Sequence, residues 1–261
     1  SEDGQAYRCD TALDFSYISA QLENYAPNGA QFAFEMGGSF NLLYPYTLLL
    51  KELPEIGSVK AENPLQSKVT PDSLLSIFGM NSYVANSYTE TDGSVAYVEG
   101  GAESERILRV APSGSVSFSQ TQSRSLKAAD SDGVPTAARA VEAAYSLVKD
   151  SLGAWCGDAA LGLSEIAFSP RDGACTVCFD YTINGLPVLL AGGKHAAEIH
   201  VRDGAVTKAV LNFRGFARGA EAEEPLPEIQ AAAVVASGGG GEPLLVYEES
   251  GGEIRPAWII N

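Results

Sequence analysis

Cys175 and Cys178 stand three residues apart, the spacing of a redox or zinc-binding C-x-x-C, and the chain's two histidines, His195 and His200, follow soon after. Catalytic C-x-x-C thiols usually sit at a helix N-terminus, which lowers their pKa. Here the stretch from Ala174 through Cys175, Val177, Cys178 and Phe179 to Tyr181 reads as a strand. Residues three apart on a strand face opposite sides, which suits neither a shared metal nor a mutual disulfide. Cys178 therefore reads as a small buried hydrophobe. Cys9 and Cys156 bring the cysteines to an even number, too few for a disulfide framework in a chain this long, and a bridge from Cys156 to Cys175 or Cys178 stays open. The histidines meet the same geometric objection as the C-x-x-C. If both lie on one strand, five residues apart, they point to opposite faces and cannot grip one ion. Within Ala197–Arg202, residues Ala197, Ile199 and Val201 are expected to face the core, with Glu198, His200 and Arg202 facing water.

Other motifs with a mechanism are missing. Asp130-Ser131-Asp132-Gly133 imitates part of a calcium loop, but Ala128 and Arg139 would fill its first and twelfth ligand positions. Gly238 to Gly241 has no Lys-Ser or Lys-Thr after it, so it is a loop rather than a phosphate cradle. Nucleophile-elbow, dinucleotide-binding and H-E-x-x-H patterns do not occur. The 33 acidic residues offer too many carboxylate pairs to single out one for glycoside chemistry. The expectation is a protein without catalytic residues, metal ligands or cofactor.

Charge and length bound the rest. A formal net charge of −16 repels a nucleic-acid backbone, and the nearby Arg214 and Arg218 are cancelled by Glu221, Glu223 and Glu224. With 45% hydrophobic and 19% charged residues the composition is globular, which excludes wholesale disorder. No stretch approaches the roughly 18 apolar residues of a membrane span, and the opening Ser1-Glu2-Asp3-Gly4-Gln5 carries no signal-peptide features. Low lysine content and the Gly, Ser and Tyr usage favour an extracytoplasmic domain whose signal or anchor lay upstream.

The elements that must position these residues are mostly hairpins. Asp92-Gly93, Ser113-Gly114, Asp172-Gly173, Asp203-Gly204 and Gly251-Gly252 each precede a β-rich run, and glycine supplies the positive φ that tight hairpins need. Gln31 to Met36 alternates as a strand. After Gly37-Gly38, the run Phe40 to Leu50 reads as a buried strand with Tyr44, Tyr46, Leu48 and Leu50 on one face. Thr70 and Pro71 open a compact helix that Gly79 closes. An apolar stripe from Ala137 through Val141, Ala144 and Val148 to Leu152 marks the most secure helix, and a further helix runs from Pro227 to Ala236. The predicted class is α+β, in two lobes, each an antiparallel sheet of hairpins with one or two helices on one face. Residues 1–122 form the first lobe, 123–133 a linker and 134–261 the second.

The second lobe resembles a known family. Its helix with Ala143-Ala144-Tyr145 is followed by Phe179-Asp180-Tyr181-Thr182-Ile183-Asn184-Gly185-Leu186-Pro187-Val188. Glu198-Ile199-His200-Val201-Arg202-Asp203-Gly204 comes next, and Leu245-Val246-Tyr247 and Arg255-Pro256-Ala257-Trp258-Ile259-Ile260 close the chain. This order resembles the YycH and YycI accessory proteins of two-component regulatory systems, and more loosely PepSY-like secreted modules. The resemblance implies a non-enzymatic ectodomain on a Gram-positive cell whose partner is a membrane sensor histidine kinase or a YycH-like paralogue. It implies no catalytic residues. On this resemblance the membrane is expected to be reached only through an anchor outside this chain. Tyr181, Tyr247 and Trp258 are the candidate partner-binding aromatics, because Trp and Tyr dominate interface hot spots, although a tryptophan after Pro256-Ala257 more often packs a lobe closed. The rival readings are a PepSY-like module that binds a peptide or inhibits a protease, and a hydrolase.

Overall fold

The computed structural model describes residues 16, 19, 29–50, 56–100, 105–121, 137–169, 173–202, 205–223, 225–250 and 253–260. Cys9, the 123–133 segment with its calcium-like Asp130–Gly133, and the turns at 203–204 and 251–252 lie outside them. In chain order the elements begin with β1 (Gln31–Phe32), α1 (Ala33–Met36), β2 (Leu48–Leu49), β3 (Ile56–Glu62) and α2 (Pro71–Ile77). Next come β4 (Asn86–Thr89), β5 (Val95–Glu99), β6 (Arg106–Val110), β7 (Ser115–Gln120) and the long helix α3 (Ala137–Ser151). The strands β8 (Ala160–Ser169), β9 (Ala174–Ile183), β10 (Leu186–Leu189), β11 (Ala197–Arg202), β12 (Ala205–Asn212) and β13 (Gly215–Glu223) follow. Helix α4 (Glu228–Ser237), β14 (Pro243–Ser250) and β15 (Glu253–Ile260) complete the chain.

The chain divides into two compact units, one of residues 1–53 and 226–242, the other of 54–225 and 243–261. The second unit overturns the expected α+β arrangement of two lobes. It is built on one mixed sheet of 13 strands, and the structure is mostly β. The two sets of hairpins join because β7 pairs antiparallel with β12, placing Val116 opposite Leu211 and Phe118 opposite Ala209. All four are buried, so the apolar face runs unbroken from one set to the other and buries more surface than two separate small sheets would.

The sheet branches at β9. Strand β8 lies along one side of β9, while on the other side β11 pairs with Ala174 to Phe179 and β10 with Tyr181 to Ile183. From β11 the order runs β12, β7, β6, β5, β4; from β10 it runs β14, β15, β3, β13. The β10–β14 pair is parallel, the feature that makes the sheet mixed. Helix α3 lies against β8, β9, β11 and β12, burying Ala140, Ala144, Leu147 and Val148 as its apolar stripe requires. Gly157, just before β8, bridges to Phe216 on β13. Its φ is +65°, and a Cβ there would lie 2.1 Å from the Phe216 carbonyl oxygen, so only glycine fits.

In the first unit, α4 packs Ala232, Val235 and Ala236 against Ala33, Leu43 and Leu49. The strands expected at 31–36 and 40–50 shrink to the two-residue pair β1 and β2. Gly37 and Gly38, at φ +65° and +58°, turn the chain into a 3-10 segment, Gly38–Leu42, and the Glu35 carboxylate accepts the Phe32 amide at 2.8 Å to fix α1.

Candidate functional site

Strand β9 separates two environments. Cys175, Val177, Phe179 and Tyr181 belong to the buried core, and the Phe179 ring lies 6.4 Å from Tyr145 of α3. Thr176, Cys178 and Asp180 alternate to the opposite face. Pairing lines up Glu165 of β8, Cys178 of β9 and Glu198 of β11 in one row, and Ala167, Thr176 and His200 in the next. A register shift between Leu163 and Glu165 inserts one extra residue in β8 and brings Glu165 into that row.

His195 stands just ahead of β11 rather than on it, so the expected opposition of the two histidines does not arise. Its Nδ1 lies 2.9 Å from Asp180 Oδ1, and the buried Asn212 donates its side-chain N–H to the His195 carbonyl at 2.8 Å. His200 sits between Glu198, 2.8 Å from its Nε2, and Thr176, 3.2 Å from its Nδ1. Both histidines thus lie on the polar face, each with a carboxylate partner. Ligand atoms of Glu165, Cys178 and His195 all lie within 4.8 Å of one another. Recesses flank the row: one of about 500 Å³ lined by Thr176, His200, Arg202 and Lys208, and one of about 250 Å³ lined by Asp180, Lys194, His195 and Glu249.

Cys178 is 5% exposed, as its reading as a small buried residue expects, and carboxylates stand near it as well. Burial, then the carboxylates of Glu198, Glu165 and Asp180, push its thiol up to about 11. Cys178, His195 and Asp180 match the nucleophile, base and orienter order of thiol catalysis, yet burial, and after it the surrounding negative charge, holds the sulfur protonated. The same grouping presents sulfur, nitrogen and oxygen donors to a cation. Cys156 and Cys175 are buried free thiols, so neither takes part in the bridge left open by the sequence.

The predicted partner-binding aromatics are placed differently. Tyr181 is 1% exposed, its ring edge-on to Phe216 at 4.9 Å; its hydroxyl donates to the Asn212 carbonyl at 2.9 Å and accepts the Arg214 amide at 3.3 Å. Tyr247 is 0% exposed, and its hydroxyl donates to the Gly57 carbonyl at 2.9 Å. Both occupy core-facing positions of central strands and offer a partner nothing. Trp258 is half-buried and packs against the same core, as the Pro256-Ala257 context suggests.

A cluster of exposed aromatic rings lies instead in the first unit. Phe32 and Phe34 stack with ring centres 5.6 Å apart, Tyr46 meets both edge-on at 6.4 and 5.9 Å, and Tyr44 meets Tyr46 at 5.9 Å. Phe34, Tyr44 and Tyr46 are 51%, 71% and 66% exposed, with Leu42 and Leu48 exposed among them. Sequence reasoning placed Tyr44, Tyr46 and Leu48 on a buried strand. The signals against that strand were Pro45 within the run and the paired glycines before it. The chain matches no known protein family, no characterised protein and no solved structure closely enough to be called similar.

Proposed function

We propose that the protein is a non-enzymatic binding protein that acts outside the cytoplasm as an accessory to a membrane sensor kinase or another envelope protein. The observation that carries this reading is the exposed ring cluster of Phe32, Phe34, Tyr44 and Tyr46. Aromatic side chains bring large contact area at low entropic cost, and contiguous exposed patches of them mark interaction sites. Among the described residues no helix is long and apolar enough to cross a membrane.

A second reading is a PepSY-like module that takes up an extended peptide. Two edges favour it: among the described residues β4 pairs only with β5, and β8 only with β9. All four residues of β4 are exposed, as are Leu163 and Ile166 of β8. Such edges accept an added strand.

Affinity capture from envelope membranes, with the chain as bait and the sensor kinase followed by mass spectrometry, separates the two. The accessory reading expects recovery of the kinase by the native chain and its loss with the Phe34→Ser, Tyr46→Ser double variant. Equal recovery by both, or none from membranes shown to contain the kinase, overturns it and leaves the strand-addition reading.

A further inference from the structure

We infer that Glu165, Cys178 and His195 form a zinc-type divalent-cation site, with these three side chains as ligands and a fourth position open to solvent. The inference is independent of the accessory role. Its first support is convergence: residues from β8, β9 and the segment before β11 bring their ligand atoms within 4.8 Å of one another. Zinc bonds of about 2.0 to 2.3 Å place tetrahedral ligands roughly 3.3 to 3.8 Å apart, so about 1 Å of side-chain closure completes the geometry. The exposed Glu165 can supply that movement, whereas Cys178 is fixed within β9.

The surroundings of His195 are those of a ligand. Asp180 engages Nδ1 at 2.9 Å, which leaves Nε2 as the nitrogen available to an ion, and Asn212 holds the His195 backbone. A carboxylate behind a histidine in this way fixes the tautomer and raises the basicity of the ligating nitrogen. Charge balances as well: a thiolate and a carboxylate neutralise a divalent ion, and the thiol proton leaves to solvent on binding. The mixed sulfur, nitrogen and oxygen donors select zinc over calcium or magnesium, which take oxygen alone. Because Glu165 is exposed and His195 only half-buried, water reaches the fourth position.

The test is a cobalt titration of the full chain carrying Cys9→Ser and stripped with a chelator. The site predicts one Co²⁺ per chain, a thiolate-to-cobalt charge-transfer band in the near ultraviolet, and displacement by one equivalent of Zn²⁺. Cys178→Ser abolishes the band. Glu165→Gln, at an exposed position, and His195→Ala, at a half-buried one, each weaken binding at least tenfold with the circular dichroism spectrum unchanged. Absence of a saturable band, a band that survives Cys178→Ser, or unchanged affinity in both His195→Ala and Glu165→Gln overturns the site.

Discussion

Arg214 donates from Nε to Glu249 Oε1 at 2.8 Å, and this pair ties the two branches of the sheet together where they part at β9. Arg214 leaves the end of β12 and also donates from Nη1 to the carbonyls of Ser113, in the β6–β7 turn, and Phe213. Glu249 belongs to β14 and also accepts the Ala191 amide, just past β10, at 3.1 Å. Burial works to raise the Glu249 carboxyl, but the Arg214 hydrogen bond, the Ala191 amide and the charges of Arg214 and Lys194 outweigh it and hold the pKa below the ordinary value.

Arg214→Ala therefore leaves a carboxylate that is 9% exposed without its cation. The expected cost is about 2 to 3 kcal/mol, somewhat less than for a fully enclosed pair because Arg214 retains some contact with water. Chemical denaturation at neutral pH checks it, and a loss within about 0.5 kcal/mol would show that the pair does not join the branches. Because the folded carboxyl is depressed, its contribution is present above the ordinary carboxylate pKa and fades as pH falls through the folded value. Glu249→Gln should thus be less stable than the native chain at about pH 7, with the gap closing as pH falls below the ordinary carboxylate range.

Cys178 gives the opposite pH signature. Its thiol is raised to about 11, so the stability it contributes is present below the ordinary thiol value and is lost as pH climbs from there towards 11. Alkylation of the folded, metal-free chain by iodoacetamide, read at the peptide containing Cys178, should be very slow near neutral pH and rise about tenfold per pH unit up to roughly pH 10. Glu198→Gln removes the larger of the two neighbouring glutamate effects and should speed alkylation about 3- to 10-fold at fixed pH. Labelling at neutral pH as fast as in the urea-unfolded chain would sink the assignment.

Those two sites show what the sequence disclosed and what it withheld. The helix at Ala137–Ser151 and the alternation of β9 were legible because each repeats one physical period over a long run. The joining of the hairpin sets was not, because strand pairing between residues so far apart in sequence leaves no local mark on β7 or β12. The polar face was half legible. Opposition of Cys175 and Cys178 followed from strand period, and it discouraged any reading of the C-x-x-C as a shared site. The grouping that does form uses only one of those cysteines, with a glutamate from β8 and a histidine that falls just outside β11. The single extra residue in β8 that aligns Glu165 with Cys178 has no signature in sequence.

Gly157 and Gly185 both have positive φ, at +65° and +81°, but only Gly157 faces an obstacle. A Cβ at Gly185 meets nothing within 4 Å, so Gly185→Ala should cost about 1 to 2 kcal/mol, from backbone strain alone. At Gly157 the same methyl collides with the Phe216 backbone, and Gly157→Ala must break the bridge to β13 as well. Its cost should exceed that of Gly185→Ala by at least about 2 kcal/mol, read as a lower thermal midpoint. Equal midpoints would mean that the bridge contributes nothing to the fold.

The first unit offers the sharpest separation of folding from binding. Leu49 is 0% exposed and shares a small core with Leu43 and the alanines of α4, so Leu49→Ala should destabilise that unit by about 2 to 5 kcal/mol. Phe34 and Tyr46 lie outside this core with about half or more of their surface in water, and their ring contacts are with one another, Phe32 and Tyr44. Removing either ring forfeits ring contacts worth about 0.5 to 1.5 kcal/mol and relieves an exposed apolar surface, so the net change in stability should stay within about 1 kcal/mol. Hydrogen exchange of α4 amides reports the local stability of the unit in each variant. Unchanged protection in Phe34→Ser and Tyr46→Ser, beside lost protection in Leu49→Ala, would leave the rings with no structural task and binding as their use. Protection lost equally in all three would instead make the ring cluster part of the unit's own core.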